Sequence, residues 1–350
     1  MTKKLNEISW NVTEDEYRQD PAYSYSTIAR FNREGFNKLD TLFEKVESPS
    51  LRFGSIVDTL LTGTSEEFED RFMVADLPAV SETLESIART IFAKYGTQYS
   101  KLEDVPDNIL SEEGNELNFW KGDKYNSRRV SEIRKGCTEL YNMLSLGGER
   151  TIVRSTEYND AVDCVNILKT SENTARFFNQ NPFDENVENY YQLKFKGEYE
   201  GIPLRCMMDI VQVDYANKTI TPVDLKTSYK KEWDFFKSFY EWNYFIQSQL
   251  YWEILRQNIE KDPYFKDFTL KDYLFVVISN GSRKPLVWEY LDTKIDYDVC
   301  YGKNKQYLCR NWRNIVKELD SYLKNPTEIP HGIYNKENET NDIIYWLNEQ

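Results

Sequence analysis

Asp209, the tripeptide Asp224-Leu225-Lys226, and then Gln247 and Tyr251 bring two carboxylates, an amine, an amide and a phenol into one short stretch of a 350-residue chain. Two carboxylates and a main-chain carbonyl form a hard oxygen set. Such a set suits Mg²⁺ or Mn²⁺, which keep several waters and take one or two carboxylates plus a substrate phosphate. An amine beside them can orient or deprotonate an attacking water, or stabilise charge on a phosphorane-like transition state. The chemistry these types imply is metal-dependent hydrolysis of a phosphodiester. A hairpin with ordinary surface charges is the plain alternative, because D-x-K also arises by chance.

The elements that must position these groups can be read from the flanking residues. Leu204 to Val213 and Thr219 to Leu225 are rich in β-branched and apolar residues, and the polar Asp214-Tyr215-Ala216-Asn217-Lys218 between them has the composition of a turn. A turn centred between Ala216 and Asn217 sets Asp209 opposite Asp224, where cross-strand Cβ atoms lie about 4.5–5.5 Å apart. Like charges at that spacing call for a raised pKa or a cation between them. Lys226 shares the face of Asp224, and Leu225 points the other way while its carbonyl borders the site. Pro222 inside this strand needs a position that donates no ladder bond. A helix is expected from about Phe235 to Ile259, its apolar stripe formed by Phe239, Trp242, Phe245, Ile246, Leu250 and Ile254. Gln247 and Tyr251, four apart, share a face beside that stripe, where they can hydrogen-bond a nucleotide or order the lysine.

In the order Asp209, Asp224-Leu225-Lys226, Gln247-Ser248-Gln249-Leu250-Tyr251, the chain resembles the PD-(D/E)XK nuclease superfamily, in its RecB-like branch with a Q-x-x-x-Y helix. Upstream, Tyr25-Ser26-Thr27-Ile28-Ala29-Arg30-Phe31 and Leu51-Arg52-Phe53-Gly54-Ser55-Ile56-Val57-Asp58 are similar to the opening of exodeoxyribonuclease VIII (RecE)-like and phage exonucleases. The resemblance touches residues 20–75 and 187–260. It implies a restriction-endonuclease-like core, a mixed β-sheet flanked by helices. It also implies a Mg²⁺- or Mn²⁺-dependent deoxyribonuclease that trims DNA ends in recombination, replication or repair. In that reading Asp209, Asp224 and the Leu225 carbonyl hold metal, Lys226 serves the water or the transition state, and Gln247 and Tyr251 position lysine or DNA. The family histidine falls on Asp58, which becomes a third candidate ligand, with Gly54 one turn earlier letting its helix approach the sheet. The strand glutamate of the family falls near Gln192, with Glu188 close by in sequence, and neither is taken as a ligand. A structure-specific endonuclease, or a degenerate nuclease fold acting as a DNA-binding scaffold, are the alternative readings.

Composition agrees with a core plus a subdomain: 40% of residues are apolar and 15% aromatic. The expected organisation is an N-terminal helical part of the core (1–75), a helical insertion (76–182), the core sheet and helices (183–325) and a tail (326–350). Helical patterns run from Ser81 to Phe92, Val130 to Leu144, Asp160 to Phe178 and Ile295 to Leu323, and Tyr273 to Ser279 pairs with Leu286 to Leu291 as a hairpin. Lys+Arg number 44 against 58 Asp+Glu, a net charge of −14 that argues against a general nucleic-acid coat protein but leaves room for a local basic groove. Two stretches qualify. Lys230, Lys231 and Lys237 alternate with Tyr229, Trp233 and Phe236, which can stack on splayed bases. Arg128 and Arg129 head the basic part of the insertion. Each can equally be a solvated helix face. Cys137, Cys164, Cys206, Cys300 and Cys309 lack a cluster-binding spacing and read as reduced thiols, and a single histidine, His331, argues against a zinc or HNH-type centre. No run of about 20 apolar residues and no signal-peptide pattern is present, which gives the expectation of a soluble, cytoplasmic protein. DNA is the expected partner, with a homo-oligomer or a recombination protein as further candidates.

Overall fold

The computed structural model describes residues 2–44, 46, 48–179 and 186–325; His331 and the rest of the 326–350 tail lie outside them. In chain order the helices are α1 (Glu14–Gln19), α2 (Tyr25–Glu34), α3 (Pro49–Thr62), α4 (Ser65–Arg71), α5 (Glu82–Tyr95), α6 (Asp107–Glu116), α7 (Asn126–Gly147), α8 (Ser155–Thr170), α9 (Ala175–Phe178), α10 (Phe235–Glu241), α11 (Tyr244–Lys261) and α12 (Trp312–Lys324). The strands are β1 (Phe72–Ala75), β2 (Thr151–Arg154), β3 (Val187–Tyr199), β4 (Ile202–Asp214), β5 (Thr219–Ser228), β6 (Thr269–Leu270), β7 (Tyr273–Ser279), β8 (Leu286–Tyr290), β9 (Val299–Tyr301) and β10 (Tyr307–Cys309). Contacts divide the chain into two compact units, Phe53–Val165 and the remainder, so the divisions fall inside α3 and α8 rather than near 76 and 182.

The larger unit carries a mixed sheet in the order β3-β4-β5-β7-β8, with β6 alongside β5. This is the class expected, a mixed sheet flanked by helices. β3 and β4 join through Glu200 (φ 50°) and Gly201 (φ 80°), a two-residue turn whose positive φ values match the twist of the flanking strands. β4 and β5 join at the expected turn, where Asp214 accepts from the Asn217 amide at 2.9 Å. Their register, from Asp214↔Thr219 to Ile210↔Val223, is the one read from the sequence. β5 then runs parallel to β7, from Val223↔Leu274 to Ser228↔Ser279, and β7 pairs antiparallel with β8. Pro222 falls where the neighbour of β5 changes from β6, ending at Ile220↔Leu270, to β7, beginning at Val223↔Leu274. No ladder donor is needed there, which is how a proline sits in a central strand.

The core of this unit lies between one sheet face and α2, α11 and α12, with Phe195, Leu204, Phe239, Phe245, Leu250, Phe275 and Trp312 fully buried. A Cβ on Gly197 would meet Ile254 at 3.1 Å, so glycine lets α11 lie close on β3. Two helices differ from expectation. The one expected over Phe235–Ile259 is broken at Asn243, which adopts a left-handed conformation (φ 56°, ψ 43°) that asparagine tolerates. Asn32 donates to its side chain at 3.0 Å, and its own amide donates to the Tyr240 carbonyl at 2.8 Å, holding the break. The one expected over Ile295–Leu323 keeps only α12. Gly302 (φ 85°), Asn304 and Lys305 turn the chain with positive φ, and β9 and β10 pair across them. Asn311 then caps α12, accepting from the Arg313 amide at 3.0 Å.

The smaller unit is mostly helical, with α5, α6 and α7 around Ile87, Ile91, Leu110, Ile133 and Tyr141, and a parallel pair, β1 with β2, that the sequence reading did not include. The pattern expected from Asp160 to Phe178 is divided into α8 and α9 at residues 171–174. Among the described residues no helix is long and apolar enough to cross a membrane.

Candidate active site

The carboxylates come together where the sheet parts. The pairing of β4 with β5 stops at Ile210↔Val223, one step short of Asp209 and Asp224, while β5 continues against β7. On the other side of β4, the register passes from Tyr191↔Ile210 to Leu193↔Met208, and Gln192, at φ 53°, kinks β3 opposite Asp209. Leu204, Cys206 and Met208 enter the core from even positions and Val211 and Val213 from odd ones, so β4 reverses its faces around Asp209. Simple alternation cannot do this. The Asp209 carboxylate takes over where the ladder has stopped: its Oδ2 accepts from the Leu225 amide at 2.9 Å. A non-glycine residue in left-handed backbone beside such a break is strain of the kind that gathers at functional sites.

Asp224 is only 1% exposed. Its Oδ1 accepts from Gln247 Nε2 at 2.5 Å. Its Oδ2 lies 2.6 Å from Lys226 Nζ, an ion pair aligned too poorly to count as a hydrogen bond, so Oδ2 retains acceptor capacity. The Lys226 side chain is 17% exposed, and its ammonium sits 4.5 Å from the centroid of the Tyr244 ring. Burial alone would lower the lysine pKa. The negative charge of Asp224, with Tyr244 and Asp209 adding to it, outweighs burial and raises the pKa above the usual lysine value. An amine held this way is a charge partner to Asp224.

Gln247 therefore serves Asp224, not Lys226. Phe245 to Tyr251 are all buried on α11, so the glutamine–tyrosine face is enclosed, not a boundary. Tyr251 is buried: its ring stands edge-on to Tyr25 at 6.4 Å, and burial raises its phenol pKa well above the ordinary value, with Tyr17, Cys206, Asp224 and Asp209 adding to it. Asp58 lies on α3 in the smaller unit, and among the described residues no group of three or more His, Cys, Asp or Glu side chains comes together as a metal-holding set. Glu188 is taken up by Lys4 and by the Tyr190 hydroxyl.

The basic candidates separate. Arg129 is buried and is not a surface cation. Its guanidinium donates to Asn115 at 3.1 Å and to the Trp120 carbonyl at 2.5 Å, tying α7 to the end of α6. Arg128 is exposed and lies 3.8 Å from the Trp120 ring centroid. Lys230 pairs with Glu241, Lys237 pairs with Asp234 at 2.6 Å, and Lys231 lies 5.0 Å from the ring centroid of Trp233.

Three tyrosines join the site without having been singled out. Tyr244 lies under Lys226. Tyr25 donates to the Trp242 carbonyl at 2.7 Å, bracing the helix break. Tyr273, on β7, is fully buried, its hydroxyl has no hydrogen-bond partner, and burial with the charges of Asp224 and Asp209 raises its pKa well above the ordinary value. Tyr244 precedes Gln247 by three residues and so shares its face, a spacing that carries the signal. Tyr273 has no local signal, since only the parallel β5–β7 register brings it near.

No family model matches the chain, and no curated protein matches it. Among solved structures it is similar to a "putative exonuclease" from Eubacterium rectale, with 13% identity, 93% of this chain and 89% of that chain covered, and a TM-score of 0.40. A likeness of that size carries no weight here; the fold class rests on the sheet itself.

Proposed function

We propose that the chain is a divalent-metal-dependent deoxyribonuclease whose centre is Asp209, Asp224 and Lys226. One observation carries this reading: a buried carboxylate, Asp224, has one oxygen fixed by Gln247 and the other facing a cation, beside a second aspartate at the gap between β4 and β5. The donor set fits Mg²⁺ or Mn²⁺, because Asp224 Oδ2 is a buried hard oxygen without an aligned donor and Lys226 already places positive charge against it. Asp209, Asp224 and the Leu225 carbonyl would hold the ion, which would supply charge neutralisation to the phosphate. Asp58, on α3 of the smaller unit, would complete that shell by the resemblance alone.

The chain's own groups then divide the work. Gln247 fixes the orientation of Asp224. Lys226 remains protonated and stabilises negative charge as the water oxygen bonds to phosphorus and the bond to the leaving sugar oxygen breaks. The attacking water passes the proton it loses to solvent, and the leaving sugar oxygen takes a proton from solvent, so Lys226 keeps its charge throughout. By the resemblance of the motif order, the activity is exonucleolytic trimming of DNA ends in recombination, replication or repair.

Asp224→Ala and Lys226→Ala should each abolish hydrolysis of linear DNA in Mg²⁺ or Mn²⁺ while DNA binding persists. Full activity in either variant overturns the assignment. A covalently closed circle should be spared, and its cleavage would convert the reading to an endonuclease.

A further inference from the structure

The segment that leaves Lys226 and returns at Gln247 exposes four large aromatic side chains: Tyr229, Trp233 (62% exposed), Phe236 (40%) and Trp242. Isolated exposed aromatics are ordinary, but four within residues 229–242 are a local concentration of exposed rings, of the kind that marks a contact surface. Three of the rings carry a cation beside them: Lys231 at 5.0 Å from Trp233, Lys237 at 5.6 Å from Phe236 and Arg33 at 5.3 Å from Trp242. The patch is fastened to the candidate site. Phe235, inside it, stacks on Tyr244 with ring centroids 6.0 Å apart, and Tyr244 lies under Lys226.

We propose that this ledge binds the unpaired bases of single-stranded DNA and delivers that strand to Asp224 and Lys226. The inference rests on the nuclease reading for the second half of that statement only. Aromatic faces accept splayed bases of any sequence, and a guanidinium or ammonium at the ring adds to the stack. Duplex DNA hides its base faces and is held chiefly through phosphate contacts. The ledge is poor in those, because Lys230 and Lys237 are already paired with Glu241 and Asp234, and the chain carries a net charge of −14. Lys231, and Arg33 with one nitrogen donating to the Trp242 carbonyl at 3.2 Å, are left to meet phosphates. Affinity must therefore come from stacking, and the ligand must be a strand whose bases are free.

The test is binding of a fluorescent oligothymidylate and of a blunt duplex of equal length to the full chain in EDTA, where metal-dependent hydrolysis is suppressed. The single strand should bind at least about tenfold more tightly and quench tryptophan fluorescence, with a salt slope of only about one to two, as a strand held by two cations requires. Trp233→Ala and Phe236→Ala should each weaken single-strand binding by about fivefold to a hundredfold, with α-helical signal unchanged. Equal affinity for duplex and single strand, no quenching, or unaltered binding in both variants overturns the ledge. Hydrolysis is read separately in Mg²⁺. If the single strand binds as described and is never cut, the nuclease reading fails while the ledge stands; if cutting proceeds with unaltered binding in the variants, the reverse holds.

Discussion

Replacing Lys226 by methionine nearly keeps the length of the side chain and deletes its charge, leaving the Asp224 carboxylate 1% exposed with Gln247 as its hydrogen-bond donor. Breaking a buried ion pair from one side costs about 3–5 kcal/mol because the remaining charge is uncompensated. Lys226 keeps 17% of its surface exposed and Asp224 keeps one hydrogen bond, so a loss somewhat below that range is expected, about 2–4 kcal/mol. The double variant Asp224→Asn with Lys226→Met removes both charges and should recover most of the loss. The measurement is a urea titration read by hydrogen exchange in peptides covering α11, which reports on this unit and avoids treating two units as one transition. Added Mn²⁺ should restore part of the protection in Lys226→Met, since a cation again meets the carboxylate. The lysine pKa is raised, so the pair's contribution is complete below the usual lysine value of about 10.4 and is lost as pH rises through the folded value; the variant should lack that alkaline loss. A penalty below about 1 kcal/mol, or a double variant no better than the single, would refute the picture of a buried carboxylate neutralised by this amine.

Three further outcomes are expected. Tyr273→Phe deletes a buried hydroxyl that has no partner, so stability should stay level or rise by up to about 1 kcal/mol, and a urea midpoint showing a loss beyond about 1.5 kcal/mol would contradict this. Asn243→Ala forces alanine into left-handed backbone and removes two hydrogen bonds, for a loss of about 2–3 kcal/mol by thermal melting, whereas Asn243→Gly should recover the backbone share alone. Burial, with Asp320 adding to it, pushes the Tyr23 phenol up to about 12, and burial does the same for Tyr240. The stability these phenols contribute is complete below about pH 10 and is lost as pH rises toward 12, so phenolate absorbance should show a late-ionising class that diminishes in Tyr23→Phe.

The hairpin was legible because its information is local. The turn residues Asp214 to Lys218 and the apolar runs on either side fix the register, and with it the meeting of Asp209 and Asp224. Gln247 was legible as a member of the set but not in its role, since which group it bonds depends on how α11 lies against β5. Periodicity alone continues a helix through Trp242 and Asn243. The break appears only when Asn32 and Tyr25, distant in sequence, supply the hydrogen bonds that make left-handed backbone worth adopting. The same limit applies to Arg129, whose charge suggests solvent until the carbonyl of Trp120 and the amide of Asn115 close around it. β9 and β10 were missed because three residues with positive φ, two of them not glycine, turn a stretch whose composition suits a helix. The reversal of faces in β4 around Asp209 has no signature at all in a strand read by alternation.

The left-handed residue at Asn243 also separates two rates of change. α10, with its exposed rings, and α11, with the glutamine that fixes Asp224, share no continuous helical backbone, so a substitution on one need not rotate the other. The exposed positions Tyr229, Trp233, Phe236 and Trp242 can therefore drift or be exchanged to suit a new strand or partner while the buried Phe235 and Phe239 keep the geometry around Asp224, and a directed library confined to those four positions is the economical place to look for altered preference.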